Sequence, residues 1–256
     1  MCLYTARVRA IITGGSSGIG EALGRELAKR GWSVALLARR RELVEEIASS
    51  LPNAAGIECD VTDSASVHQA VRTAEERLGG PCDLAVANAG VSLPGHAAKF
   101  KLEDAERTFK VNVLGMLYLF DAVIPGMVER RAGRFAGVAS IAGHRALPTA
   151  ASYSASKAAM QNFLEASRIE LAPYGVGITV VNPGFVDTPI VAKNKFRMPF
   201  LLQAPEAAAI IADGLERGKR VIEFPRPMSL LMRTIRLVPT ALYERVTAPY
   251  AQRSKR

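Results

Sequence analysis

Val8 to Gly31 reads VRAIITGGSSGIGEALGRELAKRG, and this stretch decides the fold. Residues 8–13 are a short apolar, β-branched run that ends in glycines, which is typical of a buried parallel strand. After the glycines, apolar residues recur at helical spacing up to Gly31, and glycine commonly follows the last turn of a helix. The stretch therefore predicts a strand, a glycine turn and a helix, in that order.

The glycines of TGGSSGIG, positions 13–20, follow the spacing GxxxGxG. Gly14 permits a tight turn, Gly18 lets the backbone approach a pyrophosphate, and Gly20 lets helix and strand pack closely. The free N–H groups and positive dipole at the start of a helix attract phosphate, and Ser16 and Ser17 add hydroxyls there. A glycine-rich turn without a ligand is the alternative, but the context of strand and helix favours a dinucleotide site.

The end of the next strand bears on which dinucleotide binds. Ser33 to Ala38 (SVALLA) is typical of a strand, and dinucleotide folds place an acidic residue near its end to accept from the adenine ribose. Ala38 stands there instead, followed by Arg39, Arg40 and Arg41. A solvated helix start is the alternative, although arginines there oppose the helix dipole. Because guanidinium groups bind phosphate, we predict NADP rather than NAD.

Further apolar runs complete a doubly wound (Rossmann) α/β fold with a parallel sheet of about seven strands. The predicted strands are IECDV at 57–61, DLAVA at 83–87, GRFAGVAS at 133–140, ITVV at 178–181 and RVIEF at 220–224. Asp60 either accepts from an adenine amino group or caps the helix that begins around residues 62–66. A long helical stretch from Leu102 to about Arg131 carries Asn112 in an apolar surface, which indicates a kink or a held water.

Composition bounds the remaining possibilities. The chain has 256 residues, 49% hydrophobic and 22% charged, which suits one globular domain at 1–224 with a basic, partly amphipathic extension at 225–256. Three cysteines without CxxC spacing and three scattered histidines predict reduced thiols and no metal site. No signal peptide and no membrane-spanning run is visible, so we expect a cytoplasmic protein. The net charge of +9 is not interleaved with aromatic residues, so we expect no nucleic-acid partner.

The stretch SYSASKA at 152–158 carries the proposed chemistry. Tyr153 and Lys157 stand four apart and share one face of a helix. A phenol titrates near ~10, and one ammonium at about 4 Å lowers its pKa by roughly three at an effective dielectric near 20. We therefore predict that Lys157 acidifies Tyr153. An ordinary pair of surface residues is the alternative.

Taken together, these motifs resemble the short-chain dehydrogenase/reductase family across residue 8 to about residue 188. The residues that carry the resemblance are TGGSSGIG, NAG at 88–90, Asn112, Ser140, YSASK at 153–157 and NPG at 182–184. The resemblance implies that Tyr153 is the general acid or base, that Lys157 lowers its pKa and binds the nicotinamide ribose, and that Ser140 binds the substrate oxygen. Asn112 would hold a water that links Lys157 to solvent.

The resemblance also implies a set of cofactor contacts. Besides the glycines, serines, Arg39, Asp60, Tyr153 and Lys157, these are Ile19, Val61, Asn88, Ala89, Gly90, Pro183, Gly184, Val186 and Thr188. Residues 189–203 predict a lid over the substrate, and the apolar residues of this lid indicate a hydrophobic substrate.

From these patterns we predict an NADP-dependent enzyme that moves a hydride between the nicotinamide and a carbonyl or secondary alcohol. We expect a homodimer or homotetramer that associates through its long helices. A non-catalytic NADPH-binding regulator is the alternative. The extension has apolar residues at helical spacing with Arg226, Arg233 and Arg236 on another face. It packs on its own subunit or a neighbour, or it lies peripherally on an anionic membrane.

Overall fold

The computed structural model describes residues 8–192 and 198–253, the last four by backbone alone. It confirms the predicted fold class. Seven parallel strands form one sheet in the order β3-β2-β1-β4-β5-β6-β7. The strands are β1 Arg9–Thr13, β2 Ser33–Ala38, β3 Ala54–Glu58, β4 Leu84–Ala87, β5 Gly133–Val138, β6 Val176–Pro183 and β7 Val221–Phe224.

Helices connect the strands and cover both faces of the sheet. They are α1 Gly18–Lys29, α2 Arg41–Ser49, α3 Ser64–Leu78, α4 Leu102–Phe109, α5 Gly115–Glu129, α6 Ala151–Leu171, α7 Ala204–Glu216, α8 Arg226–Leu237 and α9 Thr240–Arg253. Short 3₁₀ turns lie at Ala97–Lys99, Ile141–Gly143 and Ala172–Tyr174.

Two apolar layers hold the helices to the sheet. Successive residues of β1 point to opposite faces, so Ile11 belongs to one core cluster and Ile12 to the other. All six residues of β2 are buried, because helices cover the sheet on both sides. The continuous apolar runs that predicted parallel strands are therefore a direct consequence of this double coverage.

The structure differs most from the sequence predictions at two places, and the other strand boundaries agree within two residues. The third strand is Ala54–Glu58 rather than residues 57–61, and the backbone N–H of Thr62 donates to Asp60 in a turn that follows it. The predicted helix at 102–131 is interrupted by a π-helical turn at Lys110–Leu114, which contains Asn112. The asparagine thus marks a local change of helix geometry, as its presence in an apolar surface indicated.

The helical stretch Leu102–Glu129 is long and apolar enough to cross a membrane by length and composition alone, and within residues 8–192 and 198–253 only this stretch passes that test. The sequence prediction that no such run exists was therefore wrong by this measure. Met116, Leu119 and Met127 are buried against the sheet, so this stretch is a core helix of the fold.

The first helix of the extension packs on its own subunit. Met228 and Met232 of α8 form a small apolar cluster with Ile141, which follows Ser140 in the chain. In α9, Tyr243 donates from its hydroxyl to the Ala146 carbonyl and its ring lies 4.4 Å from the Arg145 guanidinium carbon. Of the two accounts of the extension, packing on its own subunit therefore holds for α8.

Candidate active site

One cavity of about 440 Å³ opens at the carboxyl edge of the sheet. It lies over β1 and β4, where the strand order reverses direction and where ligands bind in doubly wound folds. The predicted site residues that line it are Gly14, Ser16, Ser17, Gly18, Ile19, Arg39, Asp60, Val61, Asn88, Ala89, Gly90, Ser140, Tyr153, Lys157, Pro183, Gly184, Val186 and Thr188. Gly20 and Asn112 are the predicted residues that do not line it.

Side chains at the glycines of this turn would come too close to neighbouring residues. Gly14 has a φ of +69°, and a Cβ on it would lie 2.9 Å from the Ala89 Cα. Gly18 has a φ of +60° and faces the Thr188 side chain across the cavity. A Cβ on Gly20 would collide with the Asn88 amide and the Gly14 carbonyl, so this glycine permits close packing of helix and strand rather than lining the cavity.

Asn88 closes the turn from the neighbouring strand. Its side-chain N–H donates to the Thr13 carbonyl at 2.9 Å, and the Thr13 hydroxyl accepts from the backbone N–H groups of Asn88 and Ala89. Thr13 is a functional position that the sequence analysis missed, since a threonine at a strand end carries no signal of its own. It ties the glycine turn to the loop after β4.

Arg40 lies against the predicted phosphate site together with Arg39. Its guanidinium donates to the Ser16 hydroxyl at 2.9 Å and to the Ser16 carbonyl at 3.2 Å, and both arginines line the cavity. Arg41 instead pairs with Glu45 on the exposed face of α2. Two of the three arginines, Arg39 and Arg40, therefore line the cavity, and Arg41 does not. The predicted set of cofactor contacts named Arg39 and omitted Arg40.

Asp60 lines the cavity and does not cap α3. The N-cap is Asp63, whose carboxylate accepts from the Ala65 N–H at 3.0 Å. Burial alone would raise the pKa of Asp60, but hydrogen bonds from Thr62 and the nearby charges of Arg39 and Lys110 outweigh it and lower that pKa. Of the two alternatives for this residue, capping was wrong.

Ser140 and Tyr153 meet at the other end of the cavity. Ser140 lies two residues beyond β5, and its hydroxyl accepts from the Ala142 N–H at 3.1 Å and donates to the Pro183 carbonyl at 3.4 Å. The same hydroxyl is near enough to the Tyr153 phenol to lower the pKa of that phenol. Tyr153 comes from the first turn of α6. A strand end and a helix start thus bring together two hydroxyls that are far apart in the sequence.

Lys157 is buried in a setting that the sequence analysis did not anticipate. Its ammonium donates to the Val138 carbonyl at 2.7 Å, and its Nζ lies 5.7 Å from the centre of the Tyr153 ring. Burial lowers the pKa of Lys157 to about 7. Burial also raises the pKa of Tyr153, and the hydrogen bond with Ser140 offsets only part of this. The pKa of Tyr153 is therefore raised in this structure, opposite to the predicted acidification, because desolvation of the buried phenol dominates.

Asn112 is fully buried and connects to the helix that carries Tyr153 and Lys157. Its side chain accepts from the Val91 N–H at 2.8 Å and donates to the Val91 carbonyl at 3.0 Å. It also donates to the Ser156 hydroxyl, which in turn donates to the Tyr153 carbonyl. The side chain thus joins the π-helical turn to α6, and the predicted water that it holds stays a prediction.

The loop after β6 completes the cavity. Thr188 donates from its hydroxyl to the Val186 carbonyl, and Val186 pairs with Leu202 in an isolated bridge. This bridge returns the predicted lid to the body of the protein. The middle of the lid, residues 193–197, lies outside the described residues.

This arrangement of a doubly wound sheet, a glycine turn and a Ser–Tyr–Lys group at one edge defines a class of nucleotide-dependent oxidoreductases. Comparison with known proteins narrows the class. Residues 8–198 match the sequence model of the short chain dehydrogenases, and the chain belongs to the short-chain dehydrogenase/reductase family.

The relatives that it resembles are oxidoreductases. An uncharacterized oxidoreductase of Myxococcus xanthus is 36% identical over 239 residues, which is 92% of this chain and 94% of that protein. Among solved structures, a 3-ketoacyl-(acyl-carrier-protein) reductase of Brucella melitensis, complexed with NADH, aligns with a TM-score of 0.80 and 28% identity over 87% of this chain and 98% of that one. A variant of the actinorhodin polyketide ketoreductase with NADPH aligns with a TM-score of 0.79 and 28% identity over 87% of this chain and 97% of that one.

Proposed function

We propose that this protein is an NADP-dependent oxidoreductase that interconverts a carbonyl and a secondary alcohol on a hydrophobic substrate. The observation that carries the proposal is the convergence of Ser140, Tyr153 and Lys157 on one end of the cavity whose other end is the glycine turn. The resemblance to a ketoacyl reductase and a polyketide ketoreductase supports the carbonyl chemistry.

The chain has a fitting site for a nicotinamide cofactor. Gly14 and Gly18 line the cavity at positive φ, where side chains would meet the loops that follow β4 and β6, and their backbone would hold a pyrophosphate. Arg39 and Arg40 line the same cavity and would bind a 2′-phosphate. When bound, the nicotinamide supplies or accepts the hydride. NADH and NADPH each accompany one of the solved relatives, so the preference for NADP rests on the arginines alone.

The protein's own side chains supply the proton and orient the oxygen. A raised pKa keeps the Tyr153 phenol protonated at neutral pH, which is the form that donates a proton to a carbonyl oxygen as negative charge develops on it. The Ser140 hydroxyl lines the cavity beside that phenol, and by turning from the Pro183 carbonyl it would give the substrate oxygen a second donor. Lys157, buried beside the tyrosine, binds the ribose hydroxyls, and Asn112 fixes α6 through Ser156.

Apolar side chains in and beside the cavity support a hydrophobic substrate. Ile190 and Val191 line the cavity, and the apolar cluster of Ile141, Met228 and Met232 lies beside Ser140.

Phe109, Leu114 and Ile169 are exposed on and beside the long helices, and we propose that a second copy of the chain covers them. Size-exclusion chromatography with light scattering tests this.

We also propose that the outer face of α8 and α9 meets an anionic membrane surface. Leu230, Leu237, Leu242 and Val246 are exposed there, and residues 226–253 hold five arginines against one acidic residue, Glu244. The cytoplasmic location stays a prediction.

The enzymatic proposal is tested by replacing the phenol. The wild-type protein is screened with NADPH against aliphatic, aromatic and steroid ketones at the nicotinamide absorbance. On any ketone that is reduced, Tyr153→Phe is expected to lower kcat by about 10² to 10⁴ without loss of NADPH binding, since it removes the proton donor alone. Tyr174→Phe, on an exposed tyrosine, is the control. Full turnover by Tyr153→Phe would contradict the mechanism, and NADPH binding without any turnover would favour the regulator.

A further inference from the structure

Glu223, on β7, is the centre of a buried polar network that the proposed mechanism does not use. One carboxylate oxygen accepts from the Asn182 amide at 2.8 Å and lies 3.0 Å from Nε2 of His144. The other accepts from the Arg233 guanidinium of α8 at 2.9 Å. Only 9% of the Glu223 side chain is exposed, yet all three donors reach it.

These donors decide the charge of the carboxylate. Burial alone would raise the pKa of Glu223, but the hydrogen bonds from His144, Asn182 and Arg233 outweigh it and lower the pKa to about 2. Glu223 is therefore ionised throughout the neutral range. Since an ionised carboxylate only accepts, Nε2 of His144 carries the hydrogen that points at it.

The network continues to the backbone of Ser140. The Gln161 amide donates to the Asn182 side-chain oxygen and to the Ser140 carbonyl, both at 2.8 Å. A side chain at Gly143 would collide with Gln161, so the glycine keeps this path open. The 3₁₀ turn is thus held at the preceding residue, Ser140, by Gln161 and at the following residue, His144, by Glu223.

Helix α8 of the extension also packs on this 3₁₀ turn. Met228 and Met232 of α8 pack on Ile141, the first residue of the 3₁₀ turn, while Arg233 on the same helix reaches Glu223. The helix is therefore linked to the turn directly, through the two methionines, and indirectly, through the ion pair of Arg233 with Glu223. Neither route touches the cavity that would hold the nucleotide.

We propose that Glu223 is a positioning residue for the reaction, which holds the Ser140 hydroxyl in line with Tyr153 and makes α8 part of the catalytic apparatus. This proposal rests on the proposed function for its kinetic test. The geometry predicts a specific signature: loss of Glu223 impairs the step that uses Ser140 and leaves nucleotide binding unchanged.

The test is a double-mutant cycle with Ser140. Glu223→Gln keeps the size of the side chain but turns an amide N–H toward donors that need an acceptor, so kcat is expected to fall about tenfold with the KM for NADPH unchanged. In a Ser140→Ala background the same substitution is expected to change kcat less than about twofold, because the two residues act as one unit. Glu129→Gln, an exposed acid at the far end of α5, is the matched control.

Two further measurements keep the test decisive. Arg233→Gln, on a side chain that is 59% exposed, removes the α8 contact without threatening the fold, and it is expected to lower kcat by about two- to threefold, whereas Arg236→Gln does not. Hydrogen–deuterium exchange over residues 140–147 is expected to rise in Glu223→Gln and Arg233→Gln relative to both controls. This readout needs no substrate, so it tests the link even if the wild-type protein reduces none of the ketones. An equal kcat loss with and without Ser140, or unchanged exchange, would overturn the proposal.

Discussion

The two halves of the sheet edge are built in different ways. On the nucleotide side, between β1, β2 and β4, the site consists of backbone and glycines held by contacts such as that between Asn88 and Thr13. On the catalytic side, between β5 and β7, it consists of side chains whose partners are remote in sequence, as Glu223 is from His144 by 79 positions. A backbone cradle needs particular residues at fixed local spacing, whereas a side-chain network needs only complementary groups that the fold brings together.

After the loss of turnover expected for Tyr153→Phe, the largest expected effect lies on the nucleotide side. Arg39→Asp is expected to lower the preference for NADPH over NADH by about 10- to 100-fold, because a charge-assisted hydrogen bond to phosphate contributes roughly 1.5–3 kcal/mol. The measurement is the ratio of kcat/KM for the two cofactors. Arg41→Asp, on a neighbour that pairs with Glu45 outside the cavity, is expected to leave the ratio within about twofold.

Arg40→Gln divides the nucleotide side further. Because Arg40 donates to Ser16, this variant loses both a positive charge and a support of the glycine turn, so it is expected to weaken binding of both cofactors as well as the preference. Unchanged selectivity in Arg39→Asp would remove the argument for NADP.

The same contrast explains what the sequence revealed. All seven strands were predictable as segments of the chain, the third displaced by three residues, because apolar residues predominate in each of them. The glycine turn was predictable from its spacing between a strand and a helix, and the Tyr153–Lys157 pair from its spacing together with the other motifs of the chain. The roles of Gln161, His144 and Glu223 were not, since a lone polar residue in an ordinary strand or helix gives no sign of its distant partner. The pKa of Tyr153 was missed for a related reason, because burial depends on the whole fold and not on the four-residue spacing.

The burial of Lys157 on the catalytic side is expected to lower the free energy of unfolding. Burial lowers its pKa to about 7, whereas a lysine in an unfolded chain titrates near ~10.4. Between these two pH values the unfolded chain binds more protons than the folded one. Lys157 therefore makes the free energy of unfolding rise as the pH rises from 7 and fall as the pH returns toward 7. Lys157→Met is therefore expected to be more stable than wild type near neutral pH, while losing activity.

The sign and size of that gain are measurable by urea denaturation. The advantage of Lys157→Met is expected to shrink by up to about 1.4 kcal/mol for each pH unit between roughly pH 7.5 and 9. Lys99→Met, on an exposed lysine, is expected to show no such slope relative to wild type. Parallel stability curves for wild type and Lys157→Met would show that Lys157 is not held as a partly neutral group.

The smallest expected effect concerns the extension. Its helix α8 packs on the turn after Ser140, and its helix α9 contacts Ala146 through Tyr243 while Leu242 and Val246 stay exposed. Each arginine near an anionic bilayer contributes about 1 kcal/mol, and this attraction is screened within a Debye length. The full-length protein is expected to float with phosphatidylcholine vesicles that contain phosphatidylserine, less so at high salt, and not with phosphatidylcholine alone. Leu242→Glu with Val246→Glu is expected to abolish flotation, whereas Ile169→Glu, on a more exposed apolar residue of α6, is not. If the wild-type protein stays at the bottom of the gradient with both vesicles, the exposed leucines face a second copy of the chain or solvent instead, and the membrane proposal fails while the grip of α8 on the Ser140 turn is unaffected.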